Sequence, residues 1–200
     1  NHKFDRTGTW SVSWLMKEAN GFVGTSSVFM GTDLDTTEAQ PFASVYHPYV
    51  SIDNGNGLAI RDETGRFWRS TSDIGDRSDL NHFVMTYDGR NQLSSSLSFY
   101  ENGKFMDTVF KDISGHSASG AFGIEALGSG YNNGVGVGTH THGYSGSLGQ
   151  VQFFNHLLTT ESIQALNNNP TQELYGIQAL QFQGTHLIYV NKYKFILETY

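Results

Sequence analysis

Three sets of residues have the types and spacing to do chemistry. The first is rich in oxygen donors. Asp33, Asp35 and Glu38 share one polar loop, GTDLDTTEAQ, at residues 31–40. Asp53, Asn54 and Asn56 share a second, DNGNG, and Asn132 with Asn133 forms a neutral third. Carboxylates and amides carried on turns are the donors that a hard cation such as calcium takes, six to eight oxygens at a time. The spacing is not that of an EF-hand loop. Ordinary turn carboxylates have the same composition, because Asp and Asn bond to nearby backbone in turns. The second set is His140 and His142. Two residues apart on an extended segment, they project from one face and suit a transition metal, with His116 or a carboxylate as a third ligand. A polar end to a Gly-rich loop is the simpler account. The third set is aromatic. Tyr46, Tyr49 and Tyr131 lie beside Asn or His residues, and Trp68 sits between Phe67 and Arg69. Rings of this kind stack on the C–H faces of sugars while amides and carboxylates bridge hydroxyls. Trp68 could face solvent on a sheet in this role, or pack in a core as aromatic residues commonly do.

Catalytic patterns are missing. There is no G-x-S-x-G elbow and no phosphate-binding loop. Glu125 stands alone on its segment. With no cysteine, disulfide and thiolate chemistry are excluded, although the compartment is not fixed by that. The net charge of −7 and the lack of a Lys/Arg cluster argue against nucleic acid as a partner. No apolar run is long enough for a transmembrane helix. The first residues, Asn-His-Lys-Phe, show neither an initiator Met nor a signal peptide, so we expect a processed or excised piece.

The elements that must carry these residues are strands. The chain has 200 residues, enough for one sizeable all-β domain, and its 23 Gly and 14% aromatic residues suit short strands and tight turns. Residues 9–16 alternate: Trp10, Val12, Trp14 and Met16 on one face, Thr9, Ser11 and Ser13 on the other. Residues 27–30 form a short apolar run, and 58–60 with 65–69 read as a hairpin turning at 62–65. In 82–87, Phe83, Met85 and Tyr87 share a face. Residues 97–110 read as a hairpin turning at Asn102-Gly103, the best two-residue turn in the chain. Residues 121–127 and 150–153 add further strands. Thr159 is a good N-cap for a short helix through Leu166, with Glu161 in its first turn and Ile163 and Leu166 on its apolar side.

Three stretches resemble one family. YSGSLGQVQFFNHLLTTESIQAL, at 144–166, is similar to the closing strand and helix of laminin-G-like domains of the concanavalin A-like jelly-roll family. Tyr144, Ser145, Gly146, Val151, Leu158, Ile163 and Leu166 match, while Gly149, Gln150 and Ser162 stand where acids are common. HFVMTYDG, at 82–89, resembles W-H-H-V-A-L-T-Y-D-G, with Leu80 in place of the Trp. LSFYENGK, at 97–104, resembles L-x-L-Y-V-D-G-K, and the early strand at 10–17 is similar as well. The resemblance spans residues 7–166. It implies an antiparallel two-sheet jelly-roll sandwich with one short helix, and ligands held at the rim. Glycans or a cell-surface ligand are the expected partners, in an extracellular, cell-surface or virion setting.

The family often carries calcium at the rim, with Asp33, Asp35, Asp53 and Asn54 as the ligands here. Tyr46, Tyr49, Trp68, Tyr131, Asn132 and Asn133 are the expected ligand-binding residues. Related β-glucanases use paired Glu on a single strand, and no such pair occurs, so no enzyme is expected. Residues 1–166 form the domain on this account. Residues 167–200 form a β-rich extension, apolar at Leu187 and Tyr189, that docks on the sandwich or on a neighbouring subunit. An architectural part of a larger assembly is the alternative function.

Overall fold

The protein is represented by a computed structural model. It describes residues 2–18, 27–31, 49–53, 57–61, 67–74, 78–91, 93–114, 121–124, 126–127, 146–169, 179–183 and 186–189. These residues form fourteen strands and one helix. In chain order the strands are β1 (His2–Asp5), β2 (Thr9–Glu18), β3 (Ser27–Gly31), β4 (Tyr49–Asp53), β5 (Gly57–Arg61), β6 (Phe67–Arg69), β7 (Asn81–Asp88), β8 (Ser94–Glu101), β9 (Lys104–Asp112), β10 (Ala121–Ile124), β11 (Ala126–Leu127) and β12 (Gly146–Phe154). Helix α1 (Thr160–Asn168) follows, then β13 (Ala179–Gln183) and β14 (His186–Tyr189).

All pairing is antiparallel. One sheet runs β14-β13-β12-β2-β7-β8-β9 and the other β11-β3-β4-β5-β6, with a small β1-β10 pair beside them. The two large sheets pack face to face, which makes the chain an all-β jelly-roll sandwich.

The alternation at residues 9–16 places the core. Trp10, Val12, Trp14 and Met16 are at most 1% exposed. They meet Phe83, Met85, Tyr87, Leu97 and Phe99 of their own sheet, and Met30, Leu58, Ile60 and Trp68 of the other. Trp10 stacks on Tyr87 with centroids 5.0 Å apart, and Trp14 on Phe83 at 5.7 Å. Flat rings in adjacent cross-strand pairs (Trp10↔Tyr87, Trp14↔Phe83) fill this layer with few polar atoms to satisfy.

The polar face of β2 departs from expectation. Ser11 and Ser13 are buried too, at 0% and 2% exposure. Ser13 lies against His82 of β7, its hydroxyl 2.8 Å from the ring Nε2. For Ser11 the reason lies 145 residues away, where the chain after β12 folds back over it. Ser11 Oγ donates to the His156 carbonyl (2.9 Å) and accepts from the Leu158 N–H (3.0 Å). Leu158, Ile163 and Leu166 then pack with Val84 and Phe154 as a second, smaller core, joined by Tyr100. Helix α1 begins where its cap requires: the Thr159 hydroxyl accepts from the Ser162 N–H at 3.2 Å, satisfying an otherwise orphaned donor. Leu80, set where the family's Trp would be, is 56% exposed and precedes the strand rather than entering the core.

Asn102 and Gly103 take positive φ (50° and 75°), so the Asn-Gly turn joins β8 and β9 as its chemistry dictates. Where the extension is described, β13 pairs with β12 through Val151↔Phe182 to Phe154↔Ala179, and β14 pairs with β13. The extension therefore lengthens the seven-stranded sheet of its own chain at one edge. At the other edge lies β9.

Candidate ligand-binding face of the five-stranded sheet

Strand alternation sorts the five-stranded sheet into two sets of cross-strand rows. One set contains Val50, Ile60 and Trp68, which are register partners, and Ile52 with Leu58. Leu58, Ile60 and Trp68 of this set are in the core and look inward. The alternate set forms the other face. Its rows are Tyr49↔Arg61↔Phe67 and Ser51↔Ala59↔Arg69, with Asp53↔Gly57 at the hairpin end. On β6 this set contributes half-buried Phe67 and exposed Arg69, while Ala59 opposite Arg69 is fully buried.

Trp68 is the peg that sets this phase. It is 0% exposed, its indole N–H donates to Ser95 Oγ (3.1 Å), and its ring meets Tyr87 edge-on with centroids 5.8 Å apart. Its assignment as a ligand-stacking residue is therefore corrected: a ring enclosed between the sheets has no face to offer a sugar. Its sequence neighbours take the opposite face, with Phe67 half-buried and Arg69 exposed.

The chain after Arg69 is held firmly. Ser70 N donates to the Leu58 carbonyl at 2.8 Å, which brings the backbones so close that a Cβ at Gly57 would lie 2.6 Å from the Ser70 carbonyl oxygen. Asp107 of β9 then gathers the turn. Its carboxylate accepts from Ser70 Oγ (3.0 Å), Thr71 N (2.6 Å), Thr71 Oγ1 (2.9 Å) and Ser72 N (3.2 Å). These charge-assisted bonds tie the end of β6 to the opposite sheet and close that side of the sandwich. Phe67 and Arg69 are thereby carried on rigid backbone, as a binding surface requires.

Of the sequence-derived candidates, Tyr49 opens β4 opposite Arg61 and Asp53 ends it opposite Gly57. Tyr46, Tyr131, Asn132, Asn133, Asp33, Asp35, Glu38, Asn54, Asn56, His116, Glu125, His140 and His142 lie outside the described residues. Among the described residues, no three His, Asp or Glu side chains converge as metal ligands do. Phe67 and Arg69 were not among the candidates read from the sequence. The signal that finds them is the pairing of Ile60 with Trp68, two bulky residues that demand the same buried layer.

No family model matches the chain, and no curated protein matches it. Solved structures do resemble it. A native heptameric SAP-like pentraxin from Limulus polyphemus superposes with a TM-score of 0.53 at 14% identity, over 83% of this chain and 72% of the pentraxin. A candidate carbohydrate-binding protein from Bacteroides ovatus gives a TM-score of 0.55 at 15% identity, over 92% of this chain. The match spans 49% of the Bacteroides protein, about half its length. At these identities the likeness is one of fold: the chain is built as an antiparallel jelly-roll sandwich.

Proposed function

We propose that the domain is a non-catalytic recognition module of laminin-G-like type. It binds a glycan or cell-surface ligand through the side of β6 that carries Phe67 and Arg69 and the loops at the rim. The observation that carries this reading is half-buried Phe67 and exposed Arg69 on the side of β6 that alternates with the buried Trp68. Aromatic rings offer flat apolar area to sugar C–H groups, and guanidinium groups offer forked donors to hydroxyls or carboxylates. The rigid support beneath β6 keeps the ordering cost of binding low.

The Bacteroides likeness adds support through a neighbour that is itself a candidate carbohydrate binder. Calcium at the rim, with Asp33, Asp35, Asp53 and Asn54 as ligands, is part of the proposal. So is a setting outside the cell or on a virion. No paired carboxylates suited to glycoside cleavage stand on one strand among the described residues.

A glycan array tests the reading. The chain is expected to retain a defined class of sugars, with or without added calcium, and Phe67→Ala and Arg69→Ala are each expected to weaken that binding about tenfold or more. Absence of binding across broad sugar classes, in calcium and in chelator alike, would refute it. So would binding that both substitutions leave intact.

A further inference from the structure

The turn between β8 and β9 carries a reactive dipeptide. In an asparagine followed by glycine, the next backbone nitrogen can attack the side-chain amide, because glycine has no side chain to obstruct the approach. The sequence holds five such pairs, at 20–21, 54–55, 56–57, 102–103 and 133–134. Asn102-Gly103 is the one that lies wholly among the described residues.

Here the amide is tied at both of its atoms. Asn102 Oδ1 accepts from His82 N (2.9 Å), and Asn102 Nδ2 donates to Asn81 Oδ1 (2.8 Å). Asn81 is 8% exposed and is itself anchored, its Nδ2 donating to the Asp79 carbonyl (3.2 Å). The backbone is fixed as well. Asn102 N donates to the His82 carbonyl (2.7 Å), and Asn102 and Gly103 hold φ of 50° and 75°. The end of α1 lies against the same turn, since a Cβ at Gly103 would stand 3.3 Å from Asn167 Cβ. Asn102 as a residue is nevertheless exposed, so water reaches it. Attack on the amide needs its Cγ to swing toward the Gly103 nitrogen, and that rotation moves both tied atoms at once. Each tie of ordinary strength lowers the population of the swung side chain about fivefold.

We propose that Asn102 is a guarded deamidation site, which reacts only when the β8–β9 turn opens. In the reaction the Gly103 nitrogen bonds to Asn102 Cγ and the Cγ–Nδ2 bond breaks. Ammonia leaves, carrying the proton that the Gly103 nitrogen gives up. Solvent water then opens the cyclic imide at either carbonyl, giving aspartate or isoaspartate. Neither product restores the clasp. Aspartate has no N–H for Asn81 Oδ1 and sets a carboxylate oxygen against it. Isoaspartate passes the backbone through the side chain and lengthens a two-residue turn. A passing opening of the hairpin is thus made permanent. The reaction concerns the seven-stranded sheet and is independent of ligand binding at β6.

The full chain, held at mildly alkaline pH either native or in guanidinium chloride, tests this. The peptide containing Asn102 is followed by mass spectrometry, with aspartate and isoaspartate separated. The native chain is expected to convert Asn102 about tenfold or more slowly than the denatured chain. Asn81→Ala removes one tie and is expected to raise the native rate about fivefold, leaving the denatured rate as in wild type. Asn102→Asp, the product made genetically, is expected to melt about 2–4 °C below wild type. Equal rates in the native and denatured chains overturn the proposal. So does a native rate that Asn81→Ala leaves unchanged, or an Asn102→Asp chain as stable as wild type.

Discussion

Replacing Trp68 by alanine is expected to destabilise the fold by about 3–5 kcal/mol, the usual cost of emptying a buried aromatic site. The indole is enclosed between the sheets, and its removal also leaves Ser95 Oγ without its 3.1 Å donor. Arg69→Ala, one residue along, removes an exposed side chain from the other face and is expected to stay within about 1 kcal/mol of wild type. Urea unfolding midpoints measure both. The pair separates the two roles that a three-residue strand can assign its aromatics. If Trp68→Ala melts like wild type while ligand binding disappears, the indole faces the ligand after all and the phase of β6 assigned here is wrong.

Acid is expected to weaken the protein through His82. The side chain is 3% exposed; one ring nitrogen, Nε2, lies 2.8 Å from Ser13 Oγ, and the other, Nδ1, has no hydrogen-bond partner among the described residues. The backbone around it is locked to the β8–β9 turn: His82 N donates to Asn102 Oδ1 (2.9 Å), and Asn102 N donates to the His82 carbonyl (2.7 Å). Neither of these hydrogen-bonding neighbours is an acid that would favour the imidazolium. Burial lowers the imidazole pKa from 6.5 to about 4. As pH falls, the unfolded chain takes up its proton first, so folding loses ground. The loss of stability is absent above pH 6.5, grows between about 6.5 and about 4, and reaches about 3 kcal/mol at the lower limit. Half-buried His156, also lowered by desolvation, acts in the same direction.

The measurement is unfolding free energy against pH for wild type and His82→Gln, a neutral residue that keeps a donor for Ser13. The slope between pH 6.5 and 4 is expected to be shallower in the variant. An imidazole resonance in the folded protein that titrates near 6.5 would dispose of the argument.

The sequence was most legible where one residue type could satisfy only one environment. Trp10, Val12, Trp14 and Met16 lie inward as their spacing demands, and Asn102-Gly103 turns where only residues tolerant of positive φ turn easily. Thr159 caps the helix it was expected to cap. Legibility failed where burial comes from a remote partner. Ser11 looks solvated until the segment after β12 is laid over it, and Ser13 until His82 of β7 meets it, and no local pattern carries either contact. In β6, phenylalanine, tryptophan and arginine each tolerate either face, and three residues hold no periodicity to choose between them. The bulge at Met106 was equally silent, because it is defined by the mismatch between two strands rather than by a residue of either.

The position of β2 also bears on how the molecule comes into being. It sits between β12 and β7, yet it emerges from the ribosome before either. The Leu158 N–H that Ser11 accepts is supplied 147 positions later. The meander β7-β8-β9, by contrast, needs only short connections to close. Loop closure favours that meander as the early scaffold and makes the central ribbon wait for the far end of the polypeptide. Until then the Ser11 side of that ribbon, which the segment after β12 covers, stays open to solvent.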